Sequence, residues 1–232
     1  LQPNSVNLET IFATPSAASA GQAYLLGADE LGRSILQRLM EGAAVSLAVG
    51  VVTVGLSATL GTLIGALAGY LGGWADRVLS RVIDIFLAFP GLLLAIALAG
   101  MLGPSIENVV FALVAMGWVG YARLARMQVQ SLRERDHVLA AQALGQNNLT
   151  IVRLHLLPLL AAPVLVEASY GLAAAVIAEA GLSFLGLGVQ PPQASWGNMI
   201  RAGVRDMLVA PHLVLAPGIA LCLVALAANL AG

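Results

Sequence analysis

Long apolar runs, separated by short stretches that hold the charges, dominate the sequence and leave few folds open to it. Crossing about 30 Å of hydrocarbon takes a helix of roughly 20 mostly apolar residues. Five runs suit that role: residues 43–71, 85–103, 109–122, 159–182 and 207–230. The third is short, but its weakly polar flanks at Asn108, Gly120 and Tyr121 can extend it. Charged residues make up 10% of the chain and hydrophobic ones 59%, whereas a soluble domain carries about a quarter charged residues. The expected fold is all-α, a polytopic membrane helix bundle with five spans in this chain. Residues 1–42 read as an outer segment with a short helix. Residues 43–232 read as a membrane domain that includes a long inner loop, 123–158.

Several function classes fall away on composition. A net charge of -1 offers no electrostatic footprint for nucleic acid. The basic residues are all arginine, so a P-loop lysine and a Schiff-base lysine are both excluded. The single cysteine, Cys222, lies in an apolar run and reads as a small buried hydrophobe. None of His137, His155 and His212 sits in an H-E-x-x-H pattern, and no G-x-S-x-G occurs. No catalytic residue, metal ligand or cofactor-binding residue is expected in this chain.

Orientation follows from the arginines, because short cytoplasmic loops carry the excess of positive charge. Segments 72–84 and 123–155 hold seven: Arg77, Arg81, Arg123, Arg126, Arg133, Arg135 and Arg153. The opposite side holds four: Arg33, Arg38, Arg201 and Arg205. The arginine-rich loops and the C-terminus are therefore placed inside and the N-terminal tail outside. An outside tail beginning with Leu1 leads to the expectation of a further spanning helix ahead of it, six spans in the intact protein; a cleaved signal peptide is the alternative.

Within the spans, Ser57, Gly61, Gly65, Gly69 and Gly73 recur at steps of four. Small residues so spaced form a groove for a neighbouring helix, since lipid supplies no hydrophobic drive and close packing must replace it. Carboxylates at membrane depth are functional candidates by default, and two qualify, Glu167 and Glu179. Twelve residues apart, they point about 120° away from each other around a helix and do not form a pair. Glu167, with Ser169 and Tyr170 beside it, either lines a wet path or makes a helix–helix hydrogen bond; Glu179 reads as an interfacial or helix-end group.

The inner loop is the most informative segment. From Arg133 to Pro158 it reads RERDHVLAAQALGQNNLTIVRLHLLP. Val138, Leu139, Ala140 or Ala141, and Leu144 give an apolar stripe at helical spacing, and Gly145 stops the helix as a C′ glycine does. A second amphipathic piece, 149–157, leads into the next span. A short helix held between two spans can receive a push from a soluble partner, or can simply lie on lipid.

These residues resemble the cytoplasmic signature of ABC importer permeases, written E-A-A, three residues, G, nine residues, I-x-L-P. Ala140, Ala141, Gly145, Leu157 and Pro158 stand at the matching places; Leu139 replaces the glutamate and His155 the isoleucine. Two further stretches are similar to the dipeptide, oligopeptide and nickel permease group. One is LGADELGRSILQRL from Leu26 to Leu39, with Ala28 and Ser34 as departures; the other is LSFLGLGVQPPQASWGNM from Leu182 to Met199. Gly69-Tyr-Leu-Gly-Gly-Trp74 and Phe86-Leu-Ala-Phe-Pro90 extend the match.

The resemblance implies the type I permease fold, a location in the bacterial inner membrane, and a subunit forming half of an ATP-driven translocation path for peptides or for nickel and its chelates. Its implied partners are a second homologous permease, two ABC ATPases holding ATP-Mg, a periplasmic or lipid-anchored binding protein, and membrane lipid. The coupling loop to the ATPase would use Val138, Ala140, Ala141, Leu144, Gly145, Asn147, Asn148 and Pro158. Glu167 and Tyr170 are candidates for the path, and Asp29, Arg33, Arg38 and Trp196 for contact with the binding protein. For Trp196 an aromatic-belt position at the lipid interface is the competing reading. The alternative function, a stand-alone secondary transporter or channel, needs coupling carboxylates on one path.

Overall fold

A computed structural model describes residues 4–15, 17–19 and 22–232. Helices carry nearly all of it: α1 Ile35–Leu71, α2 Gly73–Ala88, α3 Gly91–Leu102, α4 Ile106–Leu132, α5 Asp136–Ala143, α6 Asn148–Ile151, α7 Leu157–Phe184, α8 Trp196–Val204 and α9 His212–Ala231. The outer segment adds a 3₁₀ turn, Leu8–Thr10, and an antiparallel hairpin of β1 Ala17–Ser19 and β2 Gln22–Tyr24. α1 begins at Ile35, so the expected division at residue 42 falls inside that helix.

Four helices are long and apolar enough to cross a membrane alone: α1, α4, α9, and the run Asn148–Phe184 in which α6 and α7 are joined by a π turn, Val152–Leu156. The expected second span, 85–103, is not one helix. Phe89 precedes Pro90 and takes an extended conformation, φ -98 and ψ 141, because the proline ring disfavours the helical region for the residue before it. α2 and α3 consequently meet at 85° and make a fifth crossing only as a bent pair. The 12 residues of α3 reach about 18 Å at 1.5 Å per residue, too little for the hydrocarbon core. The short third run lengthens, as its flanks allow, into the 27 residues of α4.

The seam between α1 and α4 organises the bundle. A Cβ on Gly61 would lie 2.7 Å from Tyr121 Cβ and 2.9 Å from the Ala122 nitrogen, and one on Gly69 would lie 2.8 Å from the Arg126 carbonyl oxygen. Ser57, Gly61, Gly65 and Gly69 are all buried in this seam, which lets the two backbones approach closely as small-residue packing requires. Gly73 is not part of the seam: it opens α2 with φ +56 and has nothing near its Cβ position.

Beyond the seam, one cluster at the arginine-rich end joins α1, α4, α5, α6 and the start of α7 through Ala66, Val129, Val138, Ile151 and Leu160. A second cluster, at the outer end, joins α1, α7, α8 and α9 through Ile35, Val176, Trp196 and Leu213.

Candidate functional site

At the arginine-rich end, α5 forms a small projection. Gln146 N–H donates to the Ala141 carbonyl at 3.1 Å and Gly145 N–H to that of Gln142 at 2.9 Å. With Gly145 at φ +75, this is the Schellman arrangement in which a left-handed glycine satisfies the last carbonyls of a helix. Asn147 then caps α6, its Oδ1 accepting from Leu149 N–H at 3.2 Å.

The stripe expected along α5 divides between two faces. Val138 and Ala141 are buried against the bundle and anchor the projection, so they present no surface to a partner. Leu139, Ala140, Leu144 and Gly145 are exposed, and so is Leu149 on α6, with Leu144 at 81%. Pro158 is exposed at the first turn of α7. There it cannot donate to the carbonyl of Leu154, and the π turn lies just before it, with Leu157 N–H donating to the Val152 carbonyl.

Tyr70 of α1, a residue the sequence did not single out, ties the projection to the bundle. Gln142 Nε2 donates to its hydroxyl at 3.2 Å, and that hydroxyl donates to Asn148 Oδ1 at 3.4 Å. Asp76 near the start of α2 does the same for α4: Arg126 grips its carboxylate with Nε on Oδ1 and with Nη2 on Oδ2 at 2.8 Å, while Gln130 Nε2 adds a third bond at 3.0 Å. Arg126 entered the sequence reading only as a unit of charge, and its partner lies 50 positions away. His137 and His155 stand with ring centroids 6.4 Å apart, and His155 Nε2 lies 3.0 Å from Gln146 Oε1.

At the outer end, Asp29 is the centre of a network. Its carboxylate accepts from the N–H groups of Leu31 and Arg33, both at 2.9 Å, and from Arg33 Nε at 2.7 Å. Arg38 Nε lies 3.6 Å away and Arg38 Nη1 donates to Asn4 Oδ1 at 2.9 Å. These three residues fasten the segment before α1 to its first turn. Trp196 corrects the sequence reading on both counts. At 3% exposure it is available neither to a binding protein nor to a lipid interface, because its indole N–H donates to the Leu39 carbonyl at 3.1 Å between α1 and α8. Glu179 is likewise interior, 1% exposed, and accepts from Ser183 Oγ at 2.6 Å.

Of Glu167 and Tyr170, three residues apart on α7, only Glu167 lines a cavity. Glu167 faces a cavity of about 270 Å³ between α1, α3, α4 and α7, lined also by Thr53, Ser57, Met116 and Tyr121. Tyr170 is not among the residues that line it and is 49% exposed, while Ser169 Oγ donates back to the Leu165 carbonyl at 3.2 Å. The tyrosine that meets the cavity comes from α4.

Residues 61–232 match the family described as binding-protein-dependent transport system inner membrane component. The chain is 41% identical over 210 residues to the glutathione transport system permease protein GsiD of Pectobacterium atrosepticum, covering 90% of this chain and 70% of that protein. The GsiD protein of Escherichia coli is 42% identical over 209 residues, covering 90% and 69%. Among solved structures, an inward-facing form of the MetNI methionine ABC transporter overlays with a TM-score of 0.60 at 19% identity, over 84% of this chain and 94% of that one. That last likeness is one of fold.

Proposed function

The chain belongs to the family of binding-protein-dependent inner membrane components and is a permease subunit of an ABC importer of the bacterial inner membrane, and from that premise we propose that it forms one of two permease halves through which a short peptide of the glutathione kind is imported. The other half is a homologous permease. Two ATPases, which hold the ATP-Mg, dock on the inner face, and a periplasmic or lipid-anchored binding protein delivers the solute outside. The chain itself performs no catalysis and carries no cofactor.

The observation that carries the reading is the projection at residues 136–149, anchored by Val138 and Ala141 and exposing Leu139, Ala140, Leu144 and Leu149. An apolar knuckle of this kind at the arginine-rich end offers shape and hydrophobic contact to a soluble motor. Leu139 in place of a glutamate leaves that contact without a salt bridge from its own position. ATP binding closes the ATPase pair, the knuckle moves with it, and α4 and α7, which flank the knuckle in sequence, reorient to expose the path on the other side. Coupling of this kind requires that the two nucleotide states grip the knuckle differently. A peptide is preferred to nickel as the solute because the curated relatives at 41–42% identity are glutathione permeases.

Gly145→Arg tests the docking. A Cβ at Gly145 meets nothing within 4 Å in this chain, so the added side chain obstructs a partner rather than the bundle, at the cost of the strain that an L side chain bears at φ +75. The variant should insert at normal levels yet lose ATP-driven glutathione uptake and copurification of the ATPase. Gly145→Asn, which tolerates the left-handed conformation, should retain both. Unchanged uptake by Gly145→Arg refutes docking at this knuckle.

A further inference from the structure

The cavity between α1, α3, α4 and α7 has a chemistry that helix packing does not call for. Thr53, Ser57 and Tyr121 are 4%, 1% and 4% exposed, and none of their hydroxyls has a hydrogen-bond partner. All three line the cavity with Glu167. Among the described residues Glu167 has no ion-pair partner, and no arginine or histidine lines the cavity. Two glycines keep the space clear: a Cβ on Gly117 would lie 2.7 Å from Ser57 Oγ, and one on Gly171 would collide with Tyr121 Oη. The remaining wall is apolar, with Leu92, Leu113, Met116 and Ala174.

A buried hydroxyl without a partner is unfavourable, and a carboxylate at membrane depth is more so. A carboxylate only accepts hydrogen bonds, and a hydroxyl accepts as well as donates. The group that satisfies all four at once therefore brings positive charge together with N–H donors. A hard metal cation wants six or more oxygens, or an octahedral shell rich in water, and the apolar wall supplies neither. An ammonium group on an organic body fits both halves of the cavity: charge and N–H toward Glu167 and the hydroxyls, alkyl surface toward Leu113 and Met116.

We propose that this cavity is a station on the transport route that holds the protonated amine of the solute, with the Glu167 carboxylate facing the charge and the hydroxyls of Thr53, Ser57 and Tyr121 accepting its N–H groups. The assignment rests on the permease reading and names the chemical class of solute that the permease passes: one that carries a primary ammonium group.

Carbodiimide labelling of the assembled importer in lipid nanodiscs tests it, with dicyclohexylcarbodiimide as the carboxyl reagent and ethylammonium as the probe. Labelling at Glu167, located by mass spectrometry as the sum of the carbodiimide adduct and the ethylamide that amine attack on the O-acylisourea leaves, and absent in Glu167→Gln, should slow roughly tenfold when ethylammonium occupies nine-tenths of the sites. Tetramethylammonium, which has no N–H, and sodium at the same concentration should leave the rate unchanged. The double variant Thr53→Val, Ser57→Ala should still label but lose most of the protection, which a carboxylate that is merely exposed would not do. Equal protection by sodium assigns the cavity to an inorganic cation and overturns the proposal. Absence of protection by ethylammonium, or absence of labelling in the wild type, overturns it too. ATPase retention is read in the same preparation: lost protection with the ATPase still bound removes the station alone, whereas lost ATPase removes the permease reading beneath it.

Discussion

Gly65→Ala isolates the contribution of close helix approach to this bundle. A Cβ at Gly65 would lie 2.8 Å from the Ala122 Cα and carbonyl carbon, with the carbonyl oxygen nearer still. Ordinary carbon contacts begin near 3.5 Å, so α1 and α4 must part by roughly 0.7 Å or more. Backbone atoms cannot swing aside as a side chain does, and the separation spreads along the seam to Gly61 and Gly69. Overpacking of this kind destabilises by about 1–3 kcal/mol. Against it stands the better helix propensity of alanine, up to about 1 kcal/mol where no tertiary contact intervenes. Gly55, on the same helix but exposed and with nothing within 4 Å of its Cβ position, measures that opposing effect. Gly55→Ala should therefore be neutral or stabilising and Gly65→Ala should be destabilising. The two should differ by about 1–3 kcal/mol in equilibrium unfolding of the purified chain in mixed detergent–lipid micelles. Equal stability of the two variants would refute the reasoning, because it would mean that the helices do not meet at the distance the glycines permit.

Asp76→Ala leaves Arg126 and Gln130 without their shared acceptor; at this partly buried site the loss should be about 1–2 kcal/mol in the same unfolding assay, with Asp76→Asn falling between it and the wild type. Trp196→Phe removes the indole donor to the Leu39 carbonyl and should lower stability by about 1 kcal/mol, with no change in binding-protein affinity; a fall in affinity at unchanged stability would restore Trp196 as a contact residue. Tyr70→Phe removes two hydrogen bonds between α1 and the projection, so solute imported per ATP hydrolysed should fall more than the roughly 1–2 kcal/mol loss of stability accounts for. Retention of full coupling by this variant would show that the knuckle acts without α1.

What the sequence disclosed was whatever is local. The apolar runs marked the helices, Gly145 marked the end of α5, and the steps of four from Ser57 to Gly69 marked a seam; in each case the cause lies within a few residues of the effect. Gly73 continued the spacing but not the helix, because Gly72 ends α1 with φ +66 before it. The break at Phe89-Pro90 was also local, yet residues 85–103 read as one apolar run because hydropathy does not register the direction of the backbone. Long-range partnerships left no trace in the pattern. Nothing near Asp76 announces Arg126, nothing near Glu167 announces Thr53, Ser57 and Tyr121, and Trp196 reads equally well as a surface aromatic until Leu39 is placed beside it.

The distribution of polar contacts also bears on how a push on the knuckle would travel. Rigid transmission needs elements that cannot yield separately, and the α1–α4 seam, with backbone against backbone, is such a unit. α5 follows α4 after a link of three residues, and α6 runs through the π turn into α7. Tyr70 joins both sides of the knuckle to α1. On the proposed mechanism a displacement of Leu139 and Leu144 therefore reaches three of the four walls of the Glu167 cavity: α1 and α4 as one body, and α7 as another. The two bodies can part only where helical bonding is already relaxed: Pro163 removes one bond inside α7, and the π turn at Val152–Leu156, just ahead of Pro158, relaxes the longer stretch between the knuckle and that helix. A widening of the cavity under load should accordingly begin with rotation of α7 about that turn, with the α1–α4 seam left intact.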